Sequence, residues 1–357
     1  MHCTHARPAA ATTAALACLL GLFACSDNTS SPTAPEATPP QALDIGNVLS
    51  NRWYTRPDLP TARSYAAGAT VNGLVYLIGG QLYTPEPQGL QAAIRGATGS
   101  MAAITAPPLR SVDVYNPDTK SYRRAAPLPS ARSRTNGAAV INGKIYVSGG
   151  LDSTSYTWTK TLFIYNPATN SWTKGADVPN RTSGGVSGVI NGKLYVVSTP
   201  PADAETGPSR MYRYDPATNK WTSLAGTIYP HYAGAGGAVT GKFYIVGGYA
   251  GKQQYGEVEE YDPATNVWTF KGRRPVARSS AAGAVIGGKL YLAGGVANNS
   301  ITDKHEVYDP ANNIWTERAA MLAPRYGAAA VRRNGVIYLL GGMGDAGLSK
   351  ANEMYIP

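Results

Sequence analysis

The sequence predicts an all-β protein built from six copies of one four-stranded unit. Three observations predict it. A Tyr-x-Pro step falls at Tyr115, Tyr165, Tyr214, Tyr261, Tyr308 and Tyr355, with spacings of 50, 49, 47, 47 and 47 residues. Six copies at a near-constant period mark a repeat architecture. A Gly-Gly step closes a short apolar run at Gly79-Gly80, Gly149-Gly150, Gly247-Gly248, Gly294-Gly295 and Gly341-Gly342, while copy three carries Ser198-Thr199 there. The 40 Gly and 26 Pro favour many tight turns over long helices.

The clearest copy runs from Arg278 to Trp315, and each of its strands has a local reason. The first is rich in Gly and Ala, as in 66–71 or 236–239. A two-residue turn follows, Asn72-Gly73, Asn142-Gly143, Asn191-Gly192 or Asn334-Gly335. Asn-Gly tolerates the positive φ of a type I′ hairpin turn. The second strand carries Tyr76, Tyr146, Tyr195, Tyr244, Tyr291 or Tyr338 and runs into the Gly pair, which leaves room for a large neighbour or a close backbone. The third ends at the Tyr-x-Pro step, where Pro stops the ladder. The fourth carries Tyr122, Trp172, Trp221, Trp268 or Trp315.

This Gly-Gly, Tyr, Trp grammar resembles the kelch motif over residues 51 to 357, well in five copies and poorly in the third. The resemblance implies a six-bladed kelch-type β-propeller with four antiparallel strands per blade. Small residues in the first strand suit crowding near a central axis. The last copy stops at Tyr355-Ile356-Pro357, before its fourth strand, while Asn51-Arg52-Trp53-Tyr54 is a fourth strand without a blade. Trp53 matches Trp315, so the N-terminal strand is expected to close the last blade and remove the open edges. One interval is irregular. Gly79 to Tyr115 spans 36 positions against 16, 16, 14, 14 and 14 elsewhere. The excess lies in residues 81–109, which reads either as a flap over the binding face or as an insertion without a role.

Alternating strand directions put the loops between second and third strands on one face with the links between blades. Arg63, Arg132, Arg181, His231, Arg278 and Arg325 open the six copies on those links. The resemblance places Ser64, Ser133, Thr182, Tyr232, Ser279 and Tyr326, one residue on, around a ligand-binding mouth. The arginines are either ligand contacts or braces on loop carbonyls. Tyr156, Trp158 and Tyr249 add flat surface with a polar handle, suited to sugars or peptides. Copies three and four depart together, with an acidic loop at Asp203 and Glu205 and His231 in place of Arg. These three are the candidate catalytic residues if there is chemistry.

The N-terminus reads as an address. Residues 9–24 form a short apolar run ending Leu22-Phe23-Ala24-Cys25, which resembles a bacterial lipobox. That implies a signal peptide over 1–24, lipidation at Cys25, and export to the cell envelope, at the outer membrane in a Gram-negative cell. Residues 25–50 then form a Ser-, Thr- and Pro-rich tether.

Composition excludes several classes. The net charge is +10, scattered rather than clustered, which argues against nucleic acid and allows anionic ligands. All three cysteines lie within the first 25 residues, and His231 and His305 are the only histidines after residue 5. A thiolate or His-rich metal site is therefore not expected, nor any cofactor. The Tyr-Cys crosslink of kelch copper radical oxidases is excluded, and the Glu-xxx-Asp-xxx-His run of plant specifier proteins does not occur. The expectation is a lipid-anchored module binding a protein, peptide or glycan. The alternative is a carbohydrate enzyme resembling an N-acetylneuraminate mutarotase or epimerase, although no motif transfers residue by residue.

Overall fold

The computed structural model describes residues 50–82, 108–152, 155, 157–199, 207–251 and 253–357. The signal and tether, Cys25, and most of the 81–109 insertion lie outside them. Six four-stranded antiparallel sheets follow one another as blades I to VI of a propeller. Blade V shows the plan, with Ala282–Ile286, Lys289–Ala293, His305–Asp309 and Ile314–Arg318 laid side by side. The inner strand alternates buried and half-buried residues, as Ala67–Val71 does in blade I. The turns adopt the expected form, with φ of 49° at Asn72 and 73° at Gly73.

The expected closure is present. Blade VI is made of Ala329–Arg333, Val336–Leu340 and Asn352–Ile356, and its outer strand is Arg52–Arg56. Trp53 pairs with Tyr355 in the register in which Trp315 pairs with Tyr308. The ring centroids lie 5.0 Å apart in both pairs.

An outer belt ties neighbouring blades. The Trp172 indole donates to Ala126 O at 2.9 Å, Trp221 to Ala176 O at 2.8 Å and Trp268 to Ala225 O at 2.8 Å. Each indole thus reaches the end of the preceding blade. An Asn two residues before the Trp completes the tie. Asn170 Oδ1 accepts the Ala126 amide at 2.8 Å and the Tyr165 hydroxyl at 2.7 Å. At the closure Trp53 donates to Ala319 O at 2.9 Å, and Asn51 accepts both the Ala319 amide and the Tyr355 hydroxyl at 2.9 Å.

Blades III and IV depart from the plan. The second strand of blade III, Lys193–Thr199, runs straight through the place of the Gly pair. Blade IV extends its central hairpin over Lys242–Ala250 and Gln253–Asp262.

Candidate ligand-binding mouth

The links between blades and the loops after the second strands share one face, because single bridges join them. Ser64 pairs with Gln81, Ser279 with Val296, Tyr232 with Tyr249 and Tyr326 with Met343, and Ser133 pairs with Leu151 in the same way. The bridges correct an expectation. Ser64, Ser133 and Ser279 are buried by them rather than presented to a ligand, Tyr326 is covered too, and Thr182 is buried on its own bridge to Thr159. The Gly pair makes this approach possible: a Cβ on Gly80 would stand 2.9 Å from Ser64 O.

The arginine column is a set of braces. Arg278 is buried, donates to Gly294 O at 3.1 Å and Lys304 O at 2.9 Å, and pairs with Glu306. Arg63 donates to Gly79 O at 3.0 Å and pairs with Asp113. Arg325 pairs with Glu353 at 2.6 Å. Burial lowers the pKa of the Arg63 and Arg278 guanidiniums, and the acids oppose it. A buried guanidinium matched by a carboxylate holds the structure together and is not available to a ligand. The ligand contacts expected of Arg63, Arg132, Arg278 and Arg325 are therefore replaced by bracing.

The acids stand two residues before the third-strand Tyr, at Asp113, Glu259, Glu306 and Glu353. Where that acid is missing, the brace changes. Blade II has Phe163, and Arg132 turns to Asp152 while lying over the Phe163 ring at 5.3 Å. Blade III has Tyr212, and its brace is not an arginine. Gly150 N donates to Thr182 O at 2.8 Å, as Gly295 N donates to Arg325 O at 3.0 Å. Thr182 therefore holds the brace position, with its hydroxyl accepting from Asn136 Nδ2 at 2.8 Å. Arg181 falls one residue short, is exposed, and reaches Trp158 O at 3.4 Å.

His231 takes the arginine's place in blade IV. It is buried, with Nε2 2.9 Å from Glu259 Oε1 and Nδ1 2.6 Å from Gly247 O. Glu259 also accepts the Ile228 and Tyr229 amides at 2.7 and 2.8 Å. The pair substitutes for Arg–Glu and is sealed from the mouth, so His231 does not fit the catalytic role considered for it. Its expected acidic partners, Asp203 and Glu205, lie outside the described residues, as does Tyr156.

The axis is lined one residue beyond the expected positions in five blades and two beyond Thr182 in blade III. Tyr65, Arg134, Gly184, Ala233, Ser280 and Gly327, one from each blade, all adopt left-handed backbone with φ from 50° to 62°. Their amides form a closed ring. Tyr65 N donates to Gly327 O at 2.7 Å, Arg134 N to Tyr65 O at 3.1 Å, and Gly184 N to Arg134 O at 2.7 Å. Ala233 N then donates to Gly184 O at 2.9 Å, Ser280 N to Ala233 O at 2.8 Å, and Gly327 N to Ser280 O at 2.9 Å. A left-handed residue turns its backbone across the blade, which is what points each amide at the next carbonyl.

Below the ring lies a cavity of about 200 Å³ walled by Gly68, Ala138, Ser187, Gly236, Gly283 and Ala330 of the inner strands. Among the described residues lining it, Arg134 is the one charged group. Its guanidinium sits 4.1 Å from the Tyr65 ring centroid, a cation–π contact. Burial opposes the charge, but Tyr65, Tyr232 and Tyr249 around it outweigh that and raise its pKa. Tyr232 is itself held by Trp158, stacked at 5.4 Å with 5° between planes, and by Tyr249, edge-on at 5.0 Å. Gly184 makes room for it, since a Cβ there would meet the Tyr232 ring at 2.8 Å. Of the predicted residues, Tyr232 lines the mouth, and Trp158 and Tyr249 support it. Arg134 was not among the predicted ligand contacts. Among the described residues no group of three or more His, Cys, Asp or Glu is placed to hold a metal ion.

Comparison with known proteins agrees with this geometry. Residues 189–356 match the family model for the KLHDC2/KLHL20/DRC7 Kelch-repeats domain, and residues 133–179 match the Kelch motif. The chain is a kelch-type propeller. Kelch-like protein 36 of Mus musculus is 28% identical over 132 residues, covering 37% of this chain and 19% of that protein. Kelch-like protein terF of Aspergillus terreus is 30% identical over 139 residues, 37% of this chain and 26% of that protein. This chain thus spans about a fifth to a quarter of the length of those relatives. The solved structure titled "Structure of YjhT" superposes with a TM-score of 0.65 at 18% identity, over 84% of this chain and 95% of that one. At that identity the likeness speaks for the shared fold.

Proposed function

We propose that this kelch propeller is a binding module that engages its ligand or protein partner at the axial mouth and the loops around it. Kelch propellers typically serve as protein-binding modules, and the present reading adds a place. The observation that carries it is the contrast at the axis: a mouth walled by Gly and Ala holds one cation, Arg134, between tyrosines. Flat aromatic walls around a fixed charge suit recognition of a polar group. A panel of acidic sugars and peptides, screened by thermal shift and ligand-observed NMR, tests it. Hits are expected to be lost in Tyr65→Leu and Tyr232→Leu and kept in Lys144→Ala, which alters an exposed strand start beside the Asn142-Gly143 turn. Hits indifferent to both tyrosines would overturn the proposal.

The cationic mouth also favours a second reading, an isomerase resembling N-acetylneuraminate mutarotases or epimerases. Proton transfer at a sugar needs an acid and a base. Among the described lining residues there is no carboxylate and no imidazole, so binding stands first. Equal rates of N-acetylneuraminate anomeric exchange with and without the protein, followed by NMR, would remove the enzyme reading. We further propose export and tethering to a bacterial cell envelope through a lipid on Cys25, supported by the Leu-Phe-Ala-Cys step and the Ser/Thr/Pro-rich stretch after it. Membrane association retained in Cys25→Ser would reject the anchor.

A further inference from the structure

Resting on the lipid-anchor reading, we propose that the face opposite the mouth docks on an anionic phospholipid bilayer. The contact is made by the outer-strand starts of blades III to VI and the unpaired cations around them, and the mouth points away from the membrane. The first observation is where the chain enters the propeller. Successive strands are antiparallel, so the turns after the first and third strands of each blade lie opposite the links. Contact between blades puts these turns on one face: the Arg333 guanidinium, beside the Asn334-Gly335 turn, bonds both oxygens of Asp118 in the second turn of blade I at 2.7 Å. Asn51 enters on that face. It accepts the Tyr355 hydroxyl at 2.9 Å, as Asn313 in the second turn of blade V accepts the Tyr308 hydroxyl at 2.7 Å. A tether joined at Asn51 draws this face, and not the mouth, toward the layer that holds the lipid.

Charge balance is the second observation. The turns of this face carry four acids, and each is already matched. Arg333 holds Asp118 at 2.7 Å, Lys193 holds Asp215 at 2.6 Å, Lys289 reaches Asp309 at 3.0 Å and Lys242 reaches Asp262 at 3.6 Å. Lys120, Lys144, Lys220 and Arg332 lie on the same face, are exposed, and form no ion pair among the described residues. Lys144 shows why. Blade II has Asn166 where blades III, IV and V have Asp215, Asp262 and Asp309, so its lysine lacks the acid that the equivalent lysines have. The surplus is positive, and an anionic surface balances it.

The third observation selects a bilayer over a soluble anion. The residue before the fourth-strand aromatic is Lys220, Val267, Ile314 and Arg52 in blades III to VI, but Ser121 and Ser171 in blades I and II. Val267 is 51% exposed and Ile314 56%. Two bare aliphatic side chains thus occupy one repeat position on neighbouring blades, with a basic residue on either side. Interfacial contacts combine these types: aliphatic groups enter the boundary of headgroups and acyl chains, while Lys and Arg meet the lipid phosphates. A free phosphate gains nothing from the Val and Ile.

Vesicle flotation provides the test, using residues 25–357 with Cys25→Ser, which contain the whole closed propeller and carry no acyl chain. Phosphatidylcholine vesicles with about a third phosphatidylglycerol are expected to bind about tenfold or more tighter than pure phosphatidylcholine. About 0.5 M sodium chloride should release the protein. Lys220→Glu with Arg332→Glu should weaken binding about tenfold or more, while Arg181→Glu with Lys350→Glu, an equal charge change on the mouth face, should leave it within about threefold. Val267→Ser with Ile314→Ser should weaken it about threefold or more. Binding that ignores phosphatidylglycerol, or that falls equally in the two charge-reversed proteins, overturns the docking face, and unchanged binding in the Val267 and Ile314 variant overturns its apolar half. The lipid dependence is read on the unsubstituted face, so it decides even if a variant unfolds. Failure here leaves the anchor reading standing, because no acyl chain takes part. The anchor is tested in cells after the same salt wash, which strips the face contact and leaves an acylated protein bound.

Discussion

The outer belt and the axial ring both run from blade to blade, yet they treat side chains in opposite ways. The belt repeats its letters: Asn, then Trp two residues on, then Tyr on the neighbouring strand, with ring separations of 5.0 to 5.2 Å in five blades. The axial ring repeats only its backbone. Its six positions carry Tyr, Arg, Gly, Ala, Ser and Gly on one hydrogen-bond pattern. Stability needs the same tie at every blade junction. The axial tie is made by backbone alone, so there the side chains are free to differ.

The largest effect should come from breaking the belt at its seam. Deleting residues 51–57 removes a strand, the Trp53 indole bond and the Asn51 tie together. Loss of a buried Trp alone costs about 3–5 kcal/mol. Exposing the blade VI edge adds to that. The truncated protein is expected to lose its cooperative thermal transition, and one that melts like the intact protein would show that closure is dispensable.

Cutting a brace should come next. Arg325→Met leaves Glu353 buried without its partner, and breaking such a pair costs about 3–5 kcal/mol. Arg181→Met, at the exposed position, should change stability by less than about 0.5 kcal/mol. Equal denaturation midpoints for the two variants would erase the distinction between braced and unbraced arginines.

A smaller, pH-dependent effect belongs to the seam. His305 is buried against Trp53 and Tyr355, with ring centroids at 5.2 and 4.4 Å, and burial lowers its pKa to about 4. The unfolded chain takes up this proton near the ordinary value of about 6.5 and the folded chain resists it. Stability from this group is thus complete above about pH 6.5 and declines as pH falls toward about 4, by at most about 3 kcal/mol. His305→Phe should flatten that part of the stability–pH curve, and an unchanged curve would place the titration elsewhere.

Much of the frame was legible because its causes are local. Asn-Gly turns, Gly pairs and the Pro after each third-strand Tyr act within a few residues, and Trp53 could be matched to Trp315 by its neighbours. The brace was half legible. Copies I, IV, V and VI carry an acid two residues before the Tyr together with Arg or His at the link, whereas copy III has neither partner of that pair. That covariation among repeats was open to inspection and went unread. Arg181 misled because it is an arginine beside the right position: every brace residue stands ten residues after the fourth-strand aromatic, and ten after Trp172 is Thr182, which the carbonyl bond from Gly150 bears out.

The sequence by itself determined the repeat, the four strands of each blade, the turn chemistry and the closing strand, since each depends on short-range sterics and on alternation along a strand. Tertiary structure alone decided which side chains meet at the axis. The left-handed residue in each link fits every local rule equally well. Its direction is chosen by a hydrogen bond to the neighbouring blade, from 47 to 69 residues away in sequence and, where Tyr65 meets Gly327, across the closure of the ring. That bond turns Tyr65 and Arg134 inward and leaves the neighbouring Ser64 and Ser133 buried beneath the loops.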